Sequence, residues 1–227
     1  MATKAKTNGK ASSNGSANRI AGKVEKPIVI AAPNLIECSF DITGTAPYVQ
    51  HKFSQKTKAG MLQAQQATKA TSRKAKEPRD IEADYLGAMH KTADDKHGIP
   101  APAFRSALIS ACRVAGFQMT KAKLSVFVIP DDFDPSDGTP LVHIKGEPEM
   151  HQAHVRLESG VASIAVRPMW KQWSATVRLR FDGDQFSETD VANLMERAGM
   201  QVGIGEGRPD SKKSHGMGWG TFTLFGN

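Results

Sequence analysis

No stretch of this 227-residue chain stays apolar for the roughly 18 residues that a membrane-crossing helix needs, so a membrane partner is not expected. Cysteine is scarce. Cys38 and Cys112 are too few for a disulfide framework, which favours a reducing, cytoplasmic compartment. Each lies among apolar neighbours and reads as a small buried hydrophobe. Metal-ligand spacing is equally thin. His151 and His154 are three apart with no third ligand close by. The run "DDFDPSDGTPLVH" (131–143) has the look of a calcium loop, but its spacing slips at Asp137-Gly138 and His143 stands where a bidentate Glu is required. It reads as an acidic surface turn. No nucleophile–base pair or paired carboxylate stands out, so no catalytic residue, metal or cofactor is assigned; His215 is a weak candidate base for RNA cleavage.

What the chain does have is positive charge, and it is unevenly placed. The net charge is +7. Residues 1–26 alone carry +5 and residues 52–79 carry +7, against −2 in residues 27–51 and −3 in residues 80–227. The first 26 residues are Ala, Ser, Asn, Gly, Lys and Thr with almost nothing to bury. They predict a disordered basic tail and lack the apolar centre of a secretory signal. The internal segment holds Lys52, Lys56, Lys58, Lys69, Arg73, Lys74, Lys76 and Arg79 against Glu77, with only Met61 and Leu62 as bulky apolar residues over 54–78. A mobile, marginally helical insertion is expected there. Charge segregated in this way points to a polyanionic partner.

Between these segments the pattern is that of one folded α+β domain, residues 27–227. Residues 35–42 alternate Ile36, Cys38, Phe40 and Ile42 against polar positions, predicting a half-buried strand. A short helix is expected near 80–91. In "GIPAPAFRSALISACRVAG" (98–116), Phe104, Ala107, Leu108, Ala111, Cys112 and Ala115 fall on one helical face. Pro100 and Pro102 suit the helix start and Gly116 its end. A strand over 124–129 follows, then a hairpin over 153–166 turning at Ser159-Gly160. In 173–181, Trp173, Ala175, Val177, Leu179 and Phe181 alternate with Ser174, Thr176, Arg178 and Arg180. Ser187 with Asp190 spells a capping box ahead of a helical stripe of Val191, Leu194, Met195 and Ala198. "WGTFTLF" is the last strand. Strand–helix–strand units mixed with hairpins imply helices on one face of a largely antiparallel sheet. The closing strand–helix–loop–strand is half of a ferredoxin-like unit.

The loop before the last strand, "GIGEGRPDSKKSHGMGWG", carries Gly203, Gly205, Gly207, Arg208, Lys212, Lys213 and His215. It follows a helix, the reverse of a dinucleotide fingerprint, and Lys212 replaces the second glycine of a P-loop. Glycines allow main-chain N–H groups to approach a phosphodiester, and the basic side chains add charge and donors; the same glycines also suit ordinary turns. Arg178 and Arg180 on one sheet face, with His154 and Arg156 on a neighbouring strand, suggest a basic surface for a nucleic-acid backbone; equally, they suit pairing with surface carboxylates. Trp170, beside Pro168, is the expected exposed stacking residue, and Trp173 is expected in the core.

Three stretches, "IPAPAFRSALISACRVAG", "VRPMWKQWSATVRLRFD" and "AGMQVGIGEGRPDSKKSHGMGWGTFTL", together resemble RAMP-type (repeat-associated mysterious protein) CRISPR backbone subunits, and also bacteriophage proteins of similar length. The resemblance spans about 98–225. It implies a ferredoxin-like or RNA-recognition-motif-like core and binding of single-stranded RNA or DNA, with self-association along the strand. It sets Gly203, Gly205, Gly207 and Arg208 in the binding loop and Arg105 at the start of the main helix. A host-cell cytoplasmic location follows if the chain is phage-encoded. The expected function is non-enzymatic single-stranded nucleic-acid binding. Two alternatives stand beside it, an assembly protein for an acidic partner and an RNA endonuclease using His215.

Overall fold

The structure is a computed structural model, and it describes residues 30–66, 79–156, 160, 162–211 and 216–224. The chain divides into two units, Met1–Ala32 and Pro33–Asn227. Of the first, residues 30–32 are described, without regular structure; the tail expected over 1–26 lies outside the described residues.

In the second unit the elements run β1 (Leu35–Gly44), β2 (Tyr48–Val49), α1 (Gln55–Gln66), α2 (Ile81–Gly87), β3 (Gly98–Pro100), α3 (Ala101–Val114), α4 (Met119–Ser125), β4 (Val126–Ile129), β5 (Asp132–Phe133), β6 (Pro140–Lys145), β7 (Glu149–Arg156), β8 (Ala162–Trp170), β9 (Ser174–Asp182), α5 (Glu188–Arg197), a five-residue π-helical turn (Ala198–Val202) and β10 (Phe222–Leu224). The α+β class is as expected. One antiparallel sheet has the order β10-β1-β9-β6-β3, with β4 also on β9 and β5 on β6; a second has the order β2-β8-β7.

The central pairing is β1 with β9, in register from Leu35 opposite Asp182 to Thr43 opposite Ser174. Their alternation puts Ile42, Ala175, Val177, Leu179 and Phe181 in the core, where Phe104, Leu108, Ala111 and Cys112 of α3 and Val191, Leu194 and Met195 of α5 pack on them. Phe222 of β10 meets Phe104 and Trp173 edge-on, with centroids 6.0 and 6.1 Å apart. The expected capping box closes α5: Ser187 Oγ accepts from the Asp190 amide at 3.1 Å and Asp190 Oδ2 accepts from the Ser187 amide at 3.0 Å. At the other end of α5, Glu196 accepts from Thr223 Oγ1 and the Leu224 amide, so a helix carboxylate satisfies edge strand β10.

Several expectations shift. Residues 98–100 form a strand before the helix, and α4 runs through Ser125, so the strand expected over 124–129 starts at Val126. The hairpin is longer than 153–166 and belongs to the second sheet, so His154 and Arg156 do not neighbour β9. Trp170 is not exposed. It is 0% accessible, because β8 pairs with β2 and Tyr48 covers the indole at 5.5 Å. Trp173 is in the core as expected, its indole N–H donating to Ala46 O at 2.9 Å.

Candidate functional site

One side of α3 faces a cleft, where Ala103, Ser106, Ala107 and Ser110 are all small. Opposite them stand the glycine loop and the chain leaving β2. Together they enclose a cleft of about 520 Å³, whose walls include His51, His90, Gly203, Gly205, Glu206 and Arg208.

The glycine loop is tied down through its own main chain. The amides of Gly203, Ile204, Glu206, Asp210, Met217, Trp219 and Gly220 donate, respectively, to carbonyls of Ala198, Gly220, Val49, Val202, Gly207, Gly207 and Pro47. Six glycines of the loop have φ between +66° and +77°. At Gly205 a Cβ would stand 2.5 Å from Val49 O, and at Gly220 1.8 Å from Ile204 O. These glycines are therefore demanded by backbone packing against β2 and across the loop. Of the three glycines whose amides are expected to face phosphate, Gly203 already donates within the fold. Arg208 donates to Gly205 O at 3.0 Å and lines the cleft. Lys212, Lys213 and His215 lie outside the described residues.

The basic segment starts at the cleft's rim, since His51 lines the cleft and Lys52 follows it. Lys52 itself turns inward, against the expectation of a phosphate contact. Its side chain is 10% exposed, and its Nζ donates to Asp134 Oδ2 at 2.6 Å and Ser136 Oγ at 2.7 Å. Lys56 and Lys58 sit on α1, with Lys58 exposed. Lys69, Arg73, Lys74 and Lys76 are outside the described residues. Arg79, at the far end, pairs with Asp84 and donates to Ile164 O on β8.

Asp134 corrects the reading of 131–143 as a surface turn, for its side chain is only 2% exposed. It forms an Asx turn with Ser136, accepts from Lys52, and lies 2.8 Å from His90 Nδ1. Burial raises its carboxyl, but the hydrogen bonds from Lys52, Ser136 and His90 outweigh this and hold it well below the ordinary carboxylate range. His90, Asp134 and Asp137 approach closely enough to share a cation. The Lys52 ammonium already occupies Asp134 Oδ2, so the group reads as an ion-paired hub. Gln50 locks the same wall: its amide donates to Gly98 O at 2.8 Å and its carbonyl accepts from the His90 N–H at 2.8 Å. Burial is the main cause lowering the pKa of His90, as it is for His51, where nearby Arg167 adds to the fall.

The remaining arginines are engaged elsewhere. Arg178 meets Asp131 at 3.1 Å and Arg180 meets Glu37 at 2.7 Å across the open sheet face, where Thr176 also donates to Asp41. Arg105 donates to Val126 O and lies over the Phe127 ring at 5.2 Å, bracing α3 on β4. Neither group lines the cleft. His90, Asp134 and Gln50 escaped the sequence reading because 40 or more residues separate His90 from each of its partners; only the Asp-Pro-Ser turn was locally legible.

The sequence matches no protein-family model and no curated protein. No helix among the described residues is long and apolar enough to cross a membrane.

Proposed function

We propose that this protein binds single-stranded nucleic acid without catalysing a reaction, seating the strand in the cleft between α3 and the glycine loop. The observation that carries the reading is the common origin of cleft and charge: His51 lines the cleft, and the most basic internal segment begins at the next residue. Around the cleft, Asp210 is paired with Arg113 and Glu206 with Arg167, while Arg208, close enough to act on Asp210, forms no ion pair of its own among the described residues and can meet an anion. Cationic segments beyond the rim supply sequence-independent attraction to phosphates.

The strand order supports a ferredoxin-like core. Taken as β10-β1-β9-β4, with α3 following β1 and α5 following β9, the sheet has the order of a split β-α-β pair. A glycine loop between the second helix and last strand accords with the RAMP-type resemblance. The mode of an RNA-recognition motif, with bases stacked on the open sheet face, fits less well. That face of β1 and β9 presents Glu37, Ser39, Asp41, Thr176, Arg178 and Arg180 rather than aromatic rings.

Fluorescence anisotropy with single- and double-stranded RNA and DNA oligonucleotides at two salt concentrations tests the reading. Single strands should bind more tightly than duplexes, and the affinity should fall steeply with salt. Absent or salt-independent binding rejects it.

A further inference from the structure

His90 is a buried polar group of the cleft wall whose capacity the fold leaves half used. Its side chain is nine-tenths buried and its Nδ1 is committed to Asp134 at 2.8 Å. Asp134 is a carboxylate held by Lys52 and by Ser136, so it can only accept. The proton of the shared hydrogen bond therefore sits on Nδ1, and Nε2 carries a lone pair. No described residue hydrogen-bonds Nε2, while His90 lines the cleft. Gln50, the neighbouring amide, donates to Tyr48 Oη and Gly98 O and accepts from the His90 N–H.

We infer that His90 Nε2 is a ligand-reading hydrogen-bond acceptor, matched to a hydroxyl or amino group of whatever occupies the cleft, with Asp134 and Lys52 as its positioning residues. The inference rests on the proposed nucleic-acid function. A phosphate oxygen offers no proton to such an acceptor, so phosphates belong to Arg208 and the basic segments. In a polynucleotide the donors left are the ribose 2′-hydroxyl and the amino and imino groups of the bases. Both present the same chemistry to an imidazole nitrogen. Burial, the first cause of the lowered His90 pKa, opposes protonation of Nε2, and Lys52 adds to it; Asp134 and Asp137 act the other way.

The test uses the full chain and fluorescein-labelled single strands of one sequence as RNA, DNA, 2′-O-methyl RNA and an abasic backbone. At pH 7 and fixed salt, His90→Leu should weaken the best-bound probe about tenfold, the loss of one hydrogen bond with its buried partner. It should also narrow the differences among probes. RNA binding more tightly than DNA and 2′-O-methyl RNA assigns the donor to the 2′-hydroxyl. RNA and DNA binding alike, and both better than the abasic strand, assigns it to a base. If the wild type binds and His90→Leu binds equally, the His90 assignment falls and the nucleic-acid reading survives; if the wild type binds no probe, both fall. Imidazole ¹⁵N spectra of the wild type do not depend on how the variant folds. They should show the Nδ1–H tautomer at pH 7, with the Nε2 signal moving when the best-bound probe is added. An Nε2–H tautomer, or no movement on saturation, overturns the assignment.

Discussion

Asp134 holds Lys52, Ser136 and His90 at once, in a place where water reaches little of it. Asp134→Ala would leave the Lys52 ammonium buried without a counter-charge, and urea unfolding should register a loss of about 3–5 kcal/mol. The pH dependence has two stages. His90, His97 and His51 are each held below their ordinary 6.5, chiefly by burial. The unfolded chain then binds more protons below that value, so stability is full above about pH 6.5 and declines as pH falls. His51, half exposed, contributes least. Asp134, depressed below its ordinary 3.8, adds stability that is full above about pH 4 and is lost as pH falls further. Melting temperature followed from pH 8 to about pH 3 should show both declines, and His90→Leu should shrink the first. The glycines separate two costs at this same scale. Gly218 has φ +74° and open space around it, so Gly218→Ala should cost about 1–2 kcal/mol for the left-handed backbone alone. Gly220→Ala adds a collision with Ile204 O, and chemical denaturation should show a markedly larger loss.

At the scale of elements, the open face of the main sheet and the cleft make opposite claims on the same arginine type. Arg178 and Arg180 project from β9 as the alternation of 173–181 foretells, but their cross-strand partners Asp131 and Glu37 neutralise them. Arg178→Ala with Arg180→Ala should therefore change oligonucleotide affinity by less than about threefold, while Arg208→Ala lowers it by about tenfold, both read by anisotropy at one salt concentration. A large effect of the sheet pair would move the interface to that face. This contrast also marks how far local pattern carries. The β1 and β9 alternation, the α3 stripe and the Ser187–Asp190 box were legible, since each is set by neighbours a few residues apart. Strand β3 and helix α4 were not, being three and seven residues long with no capping side chain on α4. Trp170 was misplaced because its burial depends on Tyr48, more than a hundred residues earlier, and no periodicity within β8 reports that partner. The cleft was half legible. Its glycine wall stood out by composition, but the reason for those glycines, contact with Val49 and Ile204, is tertiary.

Across the whole sequence, net positive charge lies before residue 80. Residues 80–227 sum to −3, while the +7 of segment 52–79 begins where the chain leaves the cleft. One face cannot then supply both affinity and selectivity. Lysines outside the cleft should set how steeply binding depends on salt, and groups inside it should set which strand is preferred. Replacing Lys56, Lys58, Lys69, Lys74 and Lys76 by Gln should flatten the plot of log affinity against log salt by up to about 3.5, at roughly 0.7 for each phosphate of a single strand that a lysine no longer neutralises. The ranking of RNA, DNA and duplex probes should stay as it was, because neutralising phosphates by lysine is independent of sequence and sugar. Lys52 does not belong with these lysines: its ammonium is held by Asp134, and its loss would loosen the wall instead of releasing counterions. Should the five-fold variant keep the wild-type salt slope, these lysines do not touch the strand, and the attraction must come from Arg208, Arg73 or the basic residues of 1–26.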